Sequence, residues 1–168
     1  MIVVADTSVI LNLCRVQHER LLQQLFQRVL IPSQVAREFE QLAKDRSRFS
    51  GLLLPNWIEI LPAPGSFPVE VAQADLDPGE SAAIALCLKE KADALLIDES
   101  LGRRVAGKLG IRTIGIARIL IEARDRELIP SVKLLLDRLQ AEANFWISRF
   151  KTSCSATGWR IISCSSTK

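Results

Sequence analysis

Short runs rich in Val, Ile and Leu alternate with helical patterns along nearly the whole chain. The runs Ile2–Ala5, Val29–Ile31, Trp57–Leu61, Ala94–Asp98 and Arg112–Ile114 read as strands. Helical spacing predicts helices over about 8–14, 18–28, 33–44, 78–91, 100–109, 116–126 and 131–143. Strands alternating with helices imply a parallel sheet with helices on both faces. At 168 residues the chain is long enough for one domain with a full core. Such sheets keep their ligand sites outside the carboxyl ends of the strands. Residues that follow a strand are therefore the first place to look for chemistry.

Two strands stop on an acid: Asp6 ends "IVVA" and Asp98 ends "ALLI". Each is a natural N-cap for the helix that follows, and each is also placed to serve a site. Glu38 lies in "PSQVAREFEQLAK", where Val35, Phe39 and Leu42 form the buried stripe. Glu38 falls about 60° from Val35 on that helix, so it is the acid directed inward, whereas Arg37, Glu40, Gln41 and Lys44 point away. Glu80 lies in "LDPGESAAIALCL". Asp77 as N-cap, Pro78 at the first helical position and Glu80 at the third make a capping box. The helix that follows is apolar nearly all round and is therefore buried. Capping and ligation are both open to Glu80, with Asp77 and Glu99 as less favoured acids.

Four carboxylates brought together would not stay ionised without a counter-charge, because two at about 4 Å repel by roughly 4 kcal/mol at an effective dielectric near 20. They take up protons or bind a cation, and an all-oxygen set selects Mg²⁺ or Mn²⁺. Ser8, two residues after Asp6, could hold an acid in place.

The net charge of +3 arises entirely in residues 151–168, which hold Lys151, Arg160, Lys168 and no acid. Residues 59–99 hold nine acids and two bases, and residues 100–126 hold seven bases and two acids. An acidic middle beside a basic stretch suits a cation next to an anionic substrate, although a mixed surface has the same composition. The four cysteines form no CxxC and there is one histidine, so a zinc site is not expected. Cys14 and Cys87 read as buried thiols. No apolar run reaches the roughly 20 residues of a membrane helix. The N-terminus lacks a basic region and is interrupted by Asp6, so a cytoplasmic protein with no membrane contact is expected. The tail 149–168, where Ser and Thr crowd, is expected to be poorly ordered.

The stretches "VVADTSVILNL", "IPSQVAREFEQL", "LDPGESAAIALCL" and "ALLIDESLGRRVAGKLGI", in this order, resemble the PIN-domain family, and most closely its bacterial VapC-like toxin branch. The resemblance spans residues 1–148. It implies a three-layer α/β fold with a mainly parallel sheet of about five strands, and RNA phosphodiester hydrolysis with Mg²⁺ or Mn²⁺. It places Asp6, Glu38, Glu80 and Asp98 as metal-holding catalytic acids, with Ser8 in support. The third acid is Glu here, where the family often has Asp. The resemblance also implies a small antitoxin partner and a homodimer, for which Leu21, Leu22, Leu25 and Phe26 offer either core or interface. Arg103 and Arg104 could engage RNA phosphates, with Arg103 pointing outward and Arg104 nearer the Leu101/Val105 stripe. The lone His18 cannot support a paired-histidine ribonuclease. Two rivals stand beside this reading. An aspartyl phosphatase would want a second aspartate at position 8, which is Ser. An inactive PIN-like module would only bind RNA or protein.

Overall fold

A computed structural model of the chain describes residues 1–44, 49 and 51–150, with side chains up to residue 141. The expected tail lies outside the described residues from 151 onward. The elements run β1 Ile2–Ala5, α1 Thr7–Arg15, α2 Arg20–Leu25, β2 Arg28–Pro32, α3 Ser33–Lys44, β3 Glu59–Leu61 and α4 Val69–Ala72. They continue with α5 Pro78–Lys89, β4 Ala94–Leu96, α6 Ser100–Lys108, β5 Thr113–Ile114, α7 Ile116–Asp125 and α8 Val132–Phe150.

The five strands form one parallel sheet in the order β3-β2-β1-β4-β5. Val3, Val4 and Ala5 of β1 and all of β4 are buried, as a strand covered on both faces requires. From β1 the chain winds outward through β2 to β3, then returns to β4 on the other side of β1. The order therefore reverses between β1 and β4, and a crevice opens there at the strand ends. Asp6 donates its backbone N–H to the Leu96 carbonyl at 2.9 Å, which ties the ends of these two strands together.

Helix α5 is buried from Ala82 to Cys87, consistent with its apolar circumference, and packs on β1, β2, β4 and α3. On α3, Val35 and Phe39 are buried while Arg37, Glu40, Gln41 and Lys44 are exposed. Leu21, Leu22 and Leu25 are buried within the chain itself, so these leucines belong to its core. Cys14 and Cys87 are buried free thiols. Burial pushes their pKa values up to about 12 and about 11, which leaves them inert as nucleophiles.

Several elements differ from the sequence expectation: α2 spans only Arg20–Leu25 where a helix over 18–28 is expected, and α8 runs on to Phe150 where it is expected to end near 143. Helix α4 has only four residues, too few to show a period, and is anchored by buried Val71. Strand β3 starts at Glu59 because Pro55 to Ile58 form a turn, with Ile58 N–H on the Pro55 carbonyl at 3.2 Å. Strand β4 stops at Leu96, although Ile97 still donates to the Ile114 carbonyl at 3.0 Å. No helix among the described residues is long and apolar enough to cross a membrane.

Candidate active site

Asp6 emerges from β1 with extended backbone and caps α1. Its Oδ2 accepts from Ser8 N–H at 3.2 Å and from Ser8 Oγ at 2.7 Å. The carboxylate is 3% exposed. Burial raises its pKa to about 6, against the lowering effect of the Ser8 hydrogen bonds; the charge of Asp77 raises it further. Ser8 thus fixes one oxygen of Asp6 through both its backbone and its side chain.

Glu38 comes from α3 and points inward. Its Oε2 accepts from Thr7 Oγ1 at 3.0 Å and its Oε1 from Gln34 Nε2 at 3.2 Å. Thr7 therefore links the loop after β1 to α3. The sequence carries Thr7 beside Asp6 but contains no sign of which acid it would meet.

Glu80 performs the capping role and keeps one carboxylate oxygen free of it. Its Oε2 accepts from Asp77 N–H at 3.2 Å, and Asp77 Oδ1 accepts from Glu80 N–H at 2.7 Å, completing the capping box of α5. Its Oε1 is buried and has no hydrogen-bond partner. Glu80 is 5% exposed. Burial, and then the charges of Asp77, Asp6 and Glu99, raise its pKa to about 7, although the Asp77 N–H opposes them.

These side chains line one cavity of about 510 Å³ at the β1–β4 switch point. Its carboxylates are Asp6, Glu38, Asp75, Asp77, Glu80 and Glu99; Thr7, Ser8 and Ser100 add hydroxyls, and Leu11, Leu42 and Leu101 add apolar wall. Two glycines make room for the acids. A Cβ on Gly79 would overlap Glu38 Oε2, and one on Gly102 would lie 2.9 Å from Glu80 Oε1 and overlap Ile97 Cδ1. Gly79→Ala should therefore displace the flexible Glu38 head and weaken binding of a divalent cation at the cavity by about tenfold. Its stability cost should stay under about 1 kcal/mol, since Ala is the better helix former. Titration with Mn²⁺ beside thermal unfolding checks this; a variant that takes up the ion as the wild type does would refute it.

Asp98 does not line the cavity. Its Oδ1 accepts from Ile116 N–H at 3.0 Å at the start of α7, where an anion is favoured. Burial raises its pKa, opposed by the Ile116 N–H and the nearby Arg103 charge. The next residue, Glu99, is the one on the cavity wall. Arg103 and Arg104 are both exposed; Arg103 reaches toward Asp98, with its Nη1 3.3 Å from where a Gly115 Cβ would stand. His18 is engaged with the Val16 carbonyl at 2.6 Å and does not line the cavity.

Among the described residues no three His, Cys, Asp or Glu side chains are gathered tightly enough to hold a metal ion as they stand. The donor set nevertheless fits a hard cation: every charged group at the cavity is a carboxylate, and a buried oxygen of Glu80 has no other partner.

No curated protein matches the chain. A family model, DUF3368, described as a PIN domain, matches residues 2–153. PIN domains are generally nucleases and usually use divalent metals. The parallel sheet, the acids at its switch point and this match over nearly the full length agree, and the chain belongs to the PIN-domain family.

Proposed function

We propose that the protein is a Mg²⁺- or Mn²⁺-dependent endoribonuclease. One observation carries the reading most directly: Glu80 Oε1 is a buried carboxylate oxygen with no partner, in a cavity already crowded with Asp6, Glu38 and Glu99. Leaving such a group unpaired costs stability unless a cation or a proton meets it.

Asp6, Glu38 and Glu80 would hold the ion, and Glu99 is the fourth acid favoured by its place on the cavity wall. When bound, the ion supplies Lewis acidity toward both the phosphodiester and water. The chain's own residues orient and insulate. Ser8 holds Asp6, and Thr7 and Gln34 hold Glu38. The capping box fixes Glu80 on the rigid end of α5. Leu11, Leu42 and Leu101 limit water at the site and so strengthen its electrostatics. Asp98 supports the loop from behind by capping α7.

We further propose that this nuclease is the cytoplasmic toxin of a toxin–antitoxin pair, a homodimer held in check by a small antitoxin. The four motifs that resemble the VapC-like branch support that part of the reading.

Cleavage of single-stranded RNA by the purified chain, with Mg²⁺, with Mn²⁺ and with chelator, tests the proposal. Cleavage is expected only with a divalent ion. Glu99→Gln should lower it by about 100-fold without destabilising the fold. Asp98→Ala should lower stability by about 1 kcal/mol through loss of the α7 cap. Cleavage that persists in chelator, or an absence of cleavage with either ion, would defeat the proposal.

A further inference from the structure

We propose that the outer face of α6 is the track along which single-stranded RNA leaves the carboxylate cavity, with Arg104 and Lys108 holding its backbone phosphates. This rests on the ribonuclease reading above. Ser100, Arg104 and Lys108 follow one another at four-residue spacing, so they form one stripe on α6. Ser100 lines the cavity, which makes the stripe continuous with it. From Ser100 to Lys108 the helix rises about 12 Å, enough for successive phosphates. All three residues are exposed, whereas Gly102, Val105 and Ala106 turn inward.

The charges on this face share one sign. Between Ser100 and Ile121 there are five cations and no acid. On α7 and just after it, Arg118 and Arg126 pair with Glu122, and Arg124 pairs with Asp125. On α8, Lys133 pairs with Asp137 at 2.6 Å. Among the described residues Arg104 and Lys108 have no such acid. Lys108 stands in the last turn of α6, where the helix dipole favours a cation, but Arg104 sits mid-helix and gains nothing from that end. A polyanion neutralises both at once. A strand bound there would leave the acidic cavity along a cationic rail, with its scissile phosphate held at the cavity end.

Arg104→Gln combined with Lys108→Gln tests the track, because Gln keeps helix propensity and neither side chain is buried. Binding of a labelled oligoribonucleotide of about 12 nucleotides is measured in chelator over a range of salt. For two lost phosphate contacts the slope of log affinity against log salt should become shallower by about 1.4. In cleavage assays KM should rise by about tenfold, with kcat changed by less than about twofold. An unchanged salt slope and KM would overturn the track and leave the face to an acidic protein partner. If wild type cleaves no RNA with either ion, the ribonuclease reading fails separately, and the salt slope still decides whether α6 binds RNA.

Discussion

Asp6→Asn is expected to reduce RNA cleavage by about 1,000-fold or more and, at the same time, to raise the stability of the metal-free protein. The two effects share one cause. Asp6 is 3% exposed, and burial raises its pKa to about 6. At neutral pH the fold therefore carries a desolvated negative charge. Asn keeps a carbonyl oxygen for Ser8 Oγ and Ser8 N–H, so the cap on α1 survives. On the proposed mechanism it removes the charge that would hold a cation, and with it the electrostatic part of catalysis, commonly the largest part. The shift from 3.8 to about 6 corresponds to a stability gain on the order of 2–3 kcal/mol above pH 7. Chemical denaturation in chelator, beside cleavage assays in Mn²⁺, measures both effects. A variant that loses activity together with stability would show Asp6 to be a structural cap alone.

In chelator, stability should fall as pH rises from about 4 to about 7 and then level off. Folding raises the pKa of Asp6 to about 6 and that of Glu80 to about 7. Between the unfolded and folded values, the native state holds protons that the unfolded state has lost, so each unit of pH costs up to about 1.4 kcal/mol per group. The contribution is fully present below pH 4 and is lost as pH passes the folded values. Asp98 shifts in the same direction. Glu59 shifts oppositely beside Arg28, but that pair lies on the surface and matters little. A divalent ion should reverse the trend, because ligands bind it only when deprotonated. Thermal unfolding from pH 4.5 to pH 8, with and without millimolar Mn²⁺, reads this directly. Stability that climbs through this range in chelator, with no response to the ion, would contradict a crowded acidic site. Asp6→Asn should flatten the slope but keep the part due to Glu80.

Much of this architecture is legible before any coordinates. The boundaries of β1 and α3 coincide with the sequence reading because each is a clean periodic segment bounded by a strong signal: Asp6 after one, Pro32–Ser33 before the other. The capping box of α5 is equally local, with all its partners within four residues. The inward aim of Glu38 follows from helical geometry alone. Helix α4 and the ends of β3 and β4 are not legible in this way, since a few residues of turn or extended chain carry no period.

Local patterning places each acid on its own element: Asp6 at a strand end, Glu38 beside a buried stripe, Glu80 at a helix mouth. It cannot say which of Asp98 and Glu99 turns toward the others, because adjacent residues in extended chain point to opposite sides. Packing decided that. The N-terminus of α7 takes Asp98, and the cavity is left with Glu99. Packing also decided that Thr7 would hold Glu38 and that Gly79 and Gly102 would clear space for two carboxylates. Those relations join residues far apart along the chain. They exist only once the order β3-β2-β1-β4-β5 brings the ends of β1 and β4 side by side.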